Sequence, residues 1–285
     1  MGLKSPSITE TQAHRNGIRG DDMTDEFTLE EIESLRRARK LLEYPGLGAR
    51  ITNVIGMPID RGFNLLPDHW QQKVGEATRA ALLKGLEFSV VTLDSNSRRK
   101  SQDWMHKLLV STSGAVGGAF GFAALPLELP VSTCIILRSI ADIAQSEQQD
   151  ISQITVRLSC LEVLALGGKT SKDDSVKSGY WGVRIALAKA ISEAAAYIAE
   201  KGLAEESAPA ILRLISAIGT RFGVIVSEEL AAKAIPVAGA VLGAGINYMF
   251  MDHFQDMAHG HFTVLRLENK YGMDAVRCRY EALNE

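Results

Sequence analysis

Two long stretches of this chain carry no charged side chain at all, and any fold must find a place for both. The first runs from Leu108 to Leu127, with STSGAVGGAFGFAALP at its heart, meets Glu128 and continues as LPVSTCIILRSIADIA. The second runs from Ala234 to Met251 as AIPVAGAVLGAGINYMFM and opens directly into DHFQDMAHGHFTVLRLENKYG. Each approaches the roughly 20 apolar residues that span a bilayer. Both are built from small residues rather than leucine. Gly114/Gly118, Gly117/Gly121 and Gly239/Gly243 are spaced four apart, so on a helix each pair shares a face and lets a second backbone come close, in lipid or in a soluble core. Glycine in a helix costs about 1 kcal/mol relative to alanine, so this density predicts tight helix–helix contact. Pro126, Glu128 and Pro130 interrupt the first stretch, which suits a hairpin or re-entrant insertion better than a straight span.

The rest of the composition narrows the function classes. A net charge of -3 gives no basic footprint for nucleic acid. Cys134, Cys160 and Cys278 are scattered without a CxxC or Cys/His ligand spacing, which supports neither a disulfide framework nor an ordinary zinc site. The N-terminus has no apolar signal-peptide core and Pro6 breaks the myristoylation pattern. A cytoplasmic location is expected, peripheral to or partly inserted in the inner membrane.

No stretch alternates with period two, so the expected class is all-α: a single multi-helix domain over residues 26–285, with closely packed glycine-rich central helices, a long C-terminal helix and a disordered leader over 1–25. Thr28 and Glu31 form a capping-box pattern that opens a charged helix. Tyr44-Pro45-Gly46 stops it. Short helices are predicted at Ala49–Ile55 and before Leu66-Pro67, then a longer one to about Leu93 and a polar connector DSNSRRK at 94–100. Further helices are expected over Ser101–Ala123, Pro130–Glu147, Ile151–Leu166, Val183–Lys201, Ala208–Ala232 and Ile235–Tyr271, with a charged loop at 167–179. The two prolines predict a forced corner at LPLELP.

Candidate functional residues follow from polarity in oily surroundings. Glu128 lies between the prolines and needs a cation or donors. Arg138 and Asp142 follow in the next helix, either as a local ion pair bracing the corner or as walls of a polar pocket. At about 100° per residue, Asp252, Asp256, His259, Thr263 and Arg266 share one stripe of the last helix, extended by Lys270. A metal could take Asp252, His253, Asp256 and His259 as ligands; a solvated face with ion pairs is the alternative. His261 and Glu268 fall on the opposite, apolar face with Phe250, Phe254, Met257 and Leu265. A buried His261 must satisfy its ring nitrogens, and Glu128 or Glu162 could serve. The candidate pocket is therefore Glu128, Arg138, Asp142, Glu162, His261 and Glu268. GGKT at 167–170 lacks the upstream glycine of a phosphate-binding loop, because Val163 occupies that position. No residue pattern names a cofactor.

Several segments together resemble the EcsC protein family: IxNxxGxPI (Ile51–Ile59), LPxELPxxTxxxLRSIADIA (Leu125–Ala144), LExLALGG (Leu161–Gly168), YxxxR (Tyr180–Arg184) and the long run Ile235–Gly272. SEQQD at 146–150 departs from the resemblance, which implies a glycine in place of Gln148 or Gln149, at a helix end. The family takes its name from a bacterial operon that also encodes ABC-transporter subunits. The resemblance implies a bacterial accessory role linked to transport or envelope processes and carries over no catalytic residue. Three readings follow. The first is a membrane-associated accessory or interaction protein, partnered by a membrane surface or a membrane protein and not by nucleic acid. The second is a metal-dependent or hydrolase-like enzyme with a polar pocket in a helical scaffold. The third is a soluble bundle that binds a lipid or acyl chain.

Overall fold

The computed structural model describes residues 27–43, 46–91, 121–168, 179–203 and 207–283, with 121–124 and 236–244 by backbone alone. The leader, the connector at 94–100, residues 101–120 of the helix expected over Ser101–Ala123, the glycine pair 114/118 and Gly117 of the pair 117/121 lie outside the described residues, as does most of the 167–179 loop. Among the described residues every element is a helix and none is a strand. The elements are α1 (Leu29–Glu43), α2 (Leu47–Ile55), α3 (Asp60–Phe63), α4 (Trp70–Val91), α5 (Gly121–Ser146), α6 (Ile154–Val163), α7 (Tyr180–Lys201), α8 (Pro209–Ala234), α9 (Pro236–Tyr271) and α10 (Met273–Ala282).

Local signals explain several ends. The capping box at α1 is reciprocal: Glu31 N–H donates to Thr28 Oγ1 at 3.2 Å, and Thr28 N–H donates to Glu31 Oε2 at 2.9 Å. Pro209 and Pro236 open α8 and α9, where a missing N–H costs no helical bond. Gly272, at φ 81, ends α9 in a conformation that suits glycine and starts α10, a helix the sequence reading did not anticipate.

The corner expected at LPLELP is absent. Pro126 and Pro130 both lie inside α5, which continues through them. Interior proline removes a backbone bond and costs about 3 kcal/mol. Here burial of one helical face offsets that cost: Leu125, Leu129, Ile136, Leu137, Ile140 and Ala144 are all buried. Pro126 is exposed, so water can take the carbonyl that Pro130 leaves without a donor.

α9 is the axis of the bundle. It packs against α1, α5, α8, α2, α6 and α10, while α4 packs against α5, α8 and α6, and α7 against α8 and α6. Close approach depends on glycine at several points, among them Gly62 and Gly260. A Cβ on Gly62 of α3 would lie 2.0 Å from the Ala231 carbonyl oxygen of α8. One on Gly260 of α9 would lie 2.6 Å from Leu42 Cγ and 3.0 Å from the Ala38 carbonyl of α1. Apolar side chains from these helices form a continuous core that includes Leu35, Leu82, Leu137, Leu158, Leu214, Phe222, Phe254 and Phe262.

Candidate functional site

Three polar clusters emerge from the residues singled out in the sequence, and they lie on different parts of the bundle. Glu128 belongs to the first. Lys233, at the end of α8, reaches Glu128 Oε1 at 3.3 Å and Glu229 Oε1 at 2.9 Å. Burial pushes the Glu229 carboxyl up and Lys233 opposes it, while the two carboxylates hold the Lys233 ammonium above its ordinary value against burial. Arg138 and Asp142 stand apart from it as a 3.2 Å pair one turn apart along α5. Glu128 is thus held by another helix, and Arg138–Asp142 braces no corner.

The second cluster takes the residues proposed as metal ligands. Arg50 of α2 binds both Asp252 and Asp256, the latter at 3.1 Å. Burial and the neighbouring Asp252 push the Asp256 carboxyl up, against the pull of Arg50. His253 points elsewhere: its ring is buried against Gly167, where a Cβ would lie 2.5 Å from His253 Cε1. Burial, with Arg50 assisting, pulls its pKa down to about 4, against a hydrogen bond to the Leu166 carbonyl. His259 is exposed. The four residues do not converge, and no group of three or more His, Cys, Asp and Glu among the described residues could hold a metal ion.

The third cluster joins Glu162 of α6, Tyr180 and Arg184 of α7, and His261 and Glu268 of α9. Helical spacing makes it possible. Tyr180 and Arg184 are four apart, and His261 and Glu268 are seven apart, so each pair presents one face. Arg184 clamps Glu268 through two hydrogen bonds, 2.6 and 3.0 Å, the paired geometry that favours arginine with carboxylates. Its guanidinium lies 5.5 Å from the Tyr180 ring centre and 5.2 Å from that of Trp181. Tyr180 Oη lies 3.0 Å from His261 Nδ1. On the far side of the ring, Glu162 Oε2 is 3.6 Å from Nε2.

Burial sets the protonation of this cluster. His261 is fully buried and Glu162 nearly so. Burial, reinforced by Arg184, holds the His261 pKa well below its ordinary value, so the ring is neutral and its contact with Glu162 is not an ion pair. Burial raises the Glu162 carboxyl to about 7; Arg184 pulls it down and Glu268 pushes it up. Burial also lifts the Tyr180 phenol well above its ordinary range. Tyr180 therefore keeps its proton and is able to donate to Nδ1; in that tautomer the ring proton sits on Nε2, facing Glu162. Among the described residues, Nε2 has no partner within hydrogen-bond distance. The arrangement is a buried polar cluster that runs from Glu268 through Arg184, Tyr180 and His261 to Glu162.

Of the six residues expected to line one pocket, Glu162, His261 and Glu268 come together, while Glu128, Arg138 and Asp142 lie elsewhere. Tyr180 and Arg184 were missed as site residues. Their four-residue spacing was visible, but a tyrosine and an arginine in an alanine-rich helix usually mark a surface. Three of the segments that carry the family resemblance, LExLALGG, YxxxR and the long C-terminal run, supply all five side chains.

The fold defines an all-helical bundle with a buried Glu–His–Tyr chain at the junction of three helices. Residues 29–267 match the EcsC protein family, and the chain belongs to it. No curated protein matches the chain. No solved structure matches it either.

Proposed function

We propose that the protein is a membrane-associated accessory or interaction protein, linked to transport or envelope processes. The observation that carries the reading is where the uncharged runs join the bundle. α5 and α9 both begin inside them, and Lys233 brings the end of α8, just before α9, against Glu128 near the start of α5. Gly62 packs α3 against the same end of α8. The runs and the segment after α3 carry exposed apolar side chains: Leu127 at the end of the first run at 79%, Tyr248 within the second at 69% and Leu65, just after α3, at 55%. Apolar surface beside apolar chain fits a membrane or a membrane protein better than water.

α8 by length and composition is also apolar enough to cross a membrane. Its exposed residues, Pro209, Arg213, Ser216 and Thr220, give it the outward face of a core helix, so the runs rather than α8 supply the membrane contact. Flotation with vesicles of phosphatidylethanolamine and phosphatidylglycerol tests the reading: the protein is expected in the floated fraction, and Leu127→Glu with Tyr248→Glu is expected to return it to the bottom. Wild-type protein that stays wholly at the bottom counts against it. Lipid co-purifying in native mass spectrometry without flotation would instead favour a soluble lipid-binding bundle.

A second reading, a hydrolase-like enzyme, is favoured by the convergence of Glu162, His261 and Tyr180, groups able to perform general acid–base chemistry. Activity-independent labelling of His261 with diethyl pyrocarbonate tests whether reagents reach the ring. Protection in the folded protein argues against substrate access.

A further inference from the structure

The distance of 3.6 Å between Glu162 Oε2 and His261 Nε2 is too short for a water to stand between them and too long for a good hydrogen bond. Both groups are buried, and they come from separate helices. On the other side of the ring, Tyr180 fixes Nδ1 from a third helix. We propose that Glu162, His261 and Tyr180 form a buried proton-exchange site, in which loss of one proton from Glu162 draws its carboxylate onto the His261 ring, making this contact between α6 and α9 responsive to pH around neutrality.

The proton balance is simple. On the acid side Glu162 is a neutral carboxylic acid and the ring is neutral, with hydrogen on Nε2. On the alkaline side the carboxyl proton has gone to solvent, and the Nε2–H faces a carboxylate. A charge-assisted N–H···O⁻ bond prefers about 2.7–2.9 Å, so deprotonation draws Glu162 and His261 together. Tyr180 makes this possible by keeping Nε2, rather than Nδ1, as the protonated nitrogen.

Among the described residues, two charged side chains act on Glu162. Arg184 from α7 favours the carboxylate and Glu268 from α9 opposes it. Tyr280 of α10 stacks on Tyr180, ring centres 5.9 Å apart, and stays protonated under burial. On α6 itself, Arg157 is held by the carbonyls of Ile151, Ser152 and Val90. From α4, Lys84 and Glu87 act on Cys134 of α5 instead.

The test is nuclear magnetic resonance on full-length protein labelled with ¹³C at glutamate carboxyls and ¹⁵N at histidine. The Glu162 carboxyl resonance, assigned by its loss in Glu162→Gln, is expected to titrate near pH 7 rather than at the ordinary 4.5. The His261 Nε2–H proton is expected to shift downfield with the same midpoint as its hydrogen bond shortens. In Tyr180→Phe, which retains the ring packing, the Glu162 midpoint is expected to move by about half a unit or more, because the tautomer is released. If Glu162→Gln does not fold, the resonance is assigned by its loss in Glu162→Asp. A Glu162 midpoint below 5.5, a His261 signal that ignores it, or an unchanged midpoint in Tyr180→Phe would each overturn the proposal.

Discussion

The two faces of α9 use the same kinds of residue to opposite ends. On the outer face Asp252 and Asp256 meet Arg50, Arg266 meets Glu147 at 2.9 Å, and Lys270 meets Glu31 at 2.8 Å. These pairs tie α9 to α2, to the end of α5 and to α1. On the inner face Glu268 meets Arg184, and His261 meets Tyr180 and Glu162. Water makes the difference. The Arg50 and Asp256 side chains are 21% and 31% exposed, against 12% and 10% for Arg184 and Glu268. Exposed pairs contribute about 0–1 kcal/mol, while removing one partner of a buried pair costs about 3–5 kcal/mol. The outer face therefore orients helices, and the inner face commits them.

The sharpest way to break the comparison is Arg184→Met. It leaves Glu268 and Glu162 buried without their cation, and a loss of about 3–5 kcal/mol is expected in urea denaturation. A loss under about 1 kcal/mol would place the inner pair in the same class as the outer ones.

The next effect is in pH. Glu162, raised from 4.5 to about 7, stabilises the fold fully below 4.5, and that contribution is lost as pH rises toward 7. His261, held far below 6.5, does the reverse: the unfolded ring takes a proton below 6.5 and the folded ring does not, so stability falls as pH drops. Between 4.5 and 6.5 both states carry one proton on the pair, on the carboxyl when folded and on the ring when unfolded, and the two slopes cancel. Relative to wild type, Glu162→Gln should lose stability as pH falls below 6.5, by up to about 1.4 kcal/mol per pH unit. His261→Phe should lose it as pH rises from 4.5 to 7. Denaturation series at pH 5, 6 and 7 check both signs, and parallel curves for all three proteins would dismiss the pairing.

On the outer face Arg50→Ala should cost about 1 kcal/mol or less. Without Arg50 the two aspartates repel, so Asp256 rises further, and the deficit should shrink as pH falls through the raised Asp256 range. A deficit of several kcal/mol that ignores pH would mean this face is a buried site after all.

The smallest effect lies where Glu147 joins Arg266. Gln148, the residue after Glu147, has φ 63, a left-handed value rare outside glycine. Its N–H bonds the Gln145 carbonyl, and the Gln149 N–H bonds the Ala144 carbonyl, the bond pattern of a Schellman helix end. Gln148→Gly should stabilise by about 1 kcal/mol, seen as a rise of about 2 °C in Tm. An unchanged Tm would mean the glutamine is not strained there.

Much of the helical order was legible because its signals are local. Thr28 and Glu31 name their own cap and Tyr44-Pro45-Gly46 marks a stop, while the glycine that the family resemblance implies at Gln148 or Gln149 falls at the left-handed end of α5. The corner at Pro126–Pro130 was misread because the cost of proline is local, whereas the compensating burial of Leu125, Leu129 and Leu137 depends on neighbouring helices. The metal stripe was a sound reading of one helix. Arg50, some 200 residues upstream, claims its two aspartates, and no spacing rule reaches that far.

By itself the sequence determined an all-helical chain of the EcsC family, two uncharged runs that require small-residue packing or an apolar surface, and His261 and Glu268 on the oily side of the last helix. Periodicity is a property of one helix, so it shows which residues share a face. Only the tertiary structure decided that the oily side of α9 meets Tyr180, Arg184 and Glu162, and that burial there leaves the proton on a carboxyl rather than on an imidazole. Protonation follows desolvation and neighbouring charge, and both exist only after separate helices have packed.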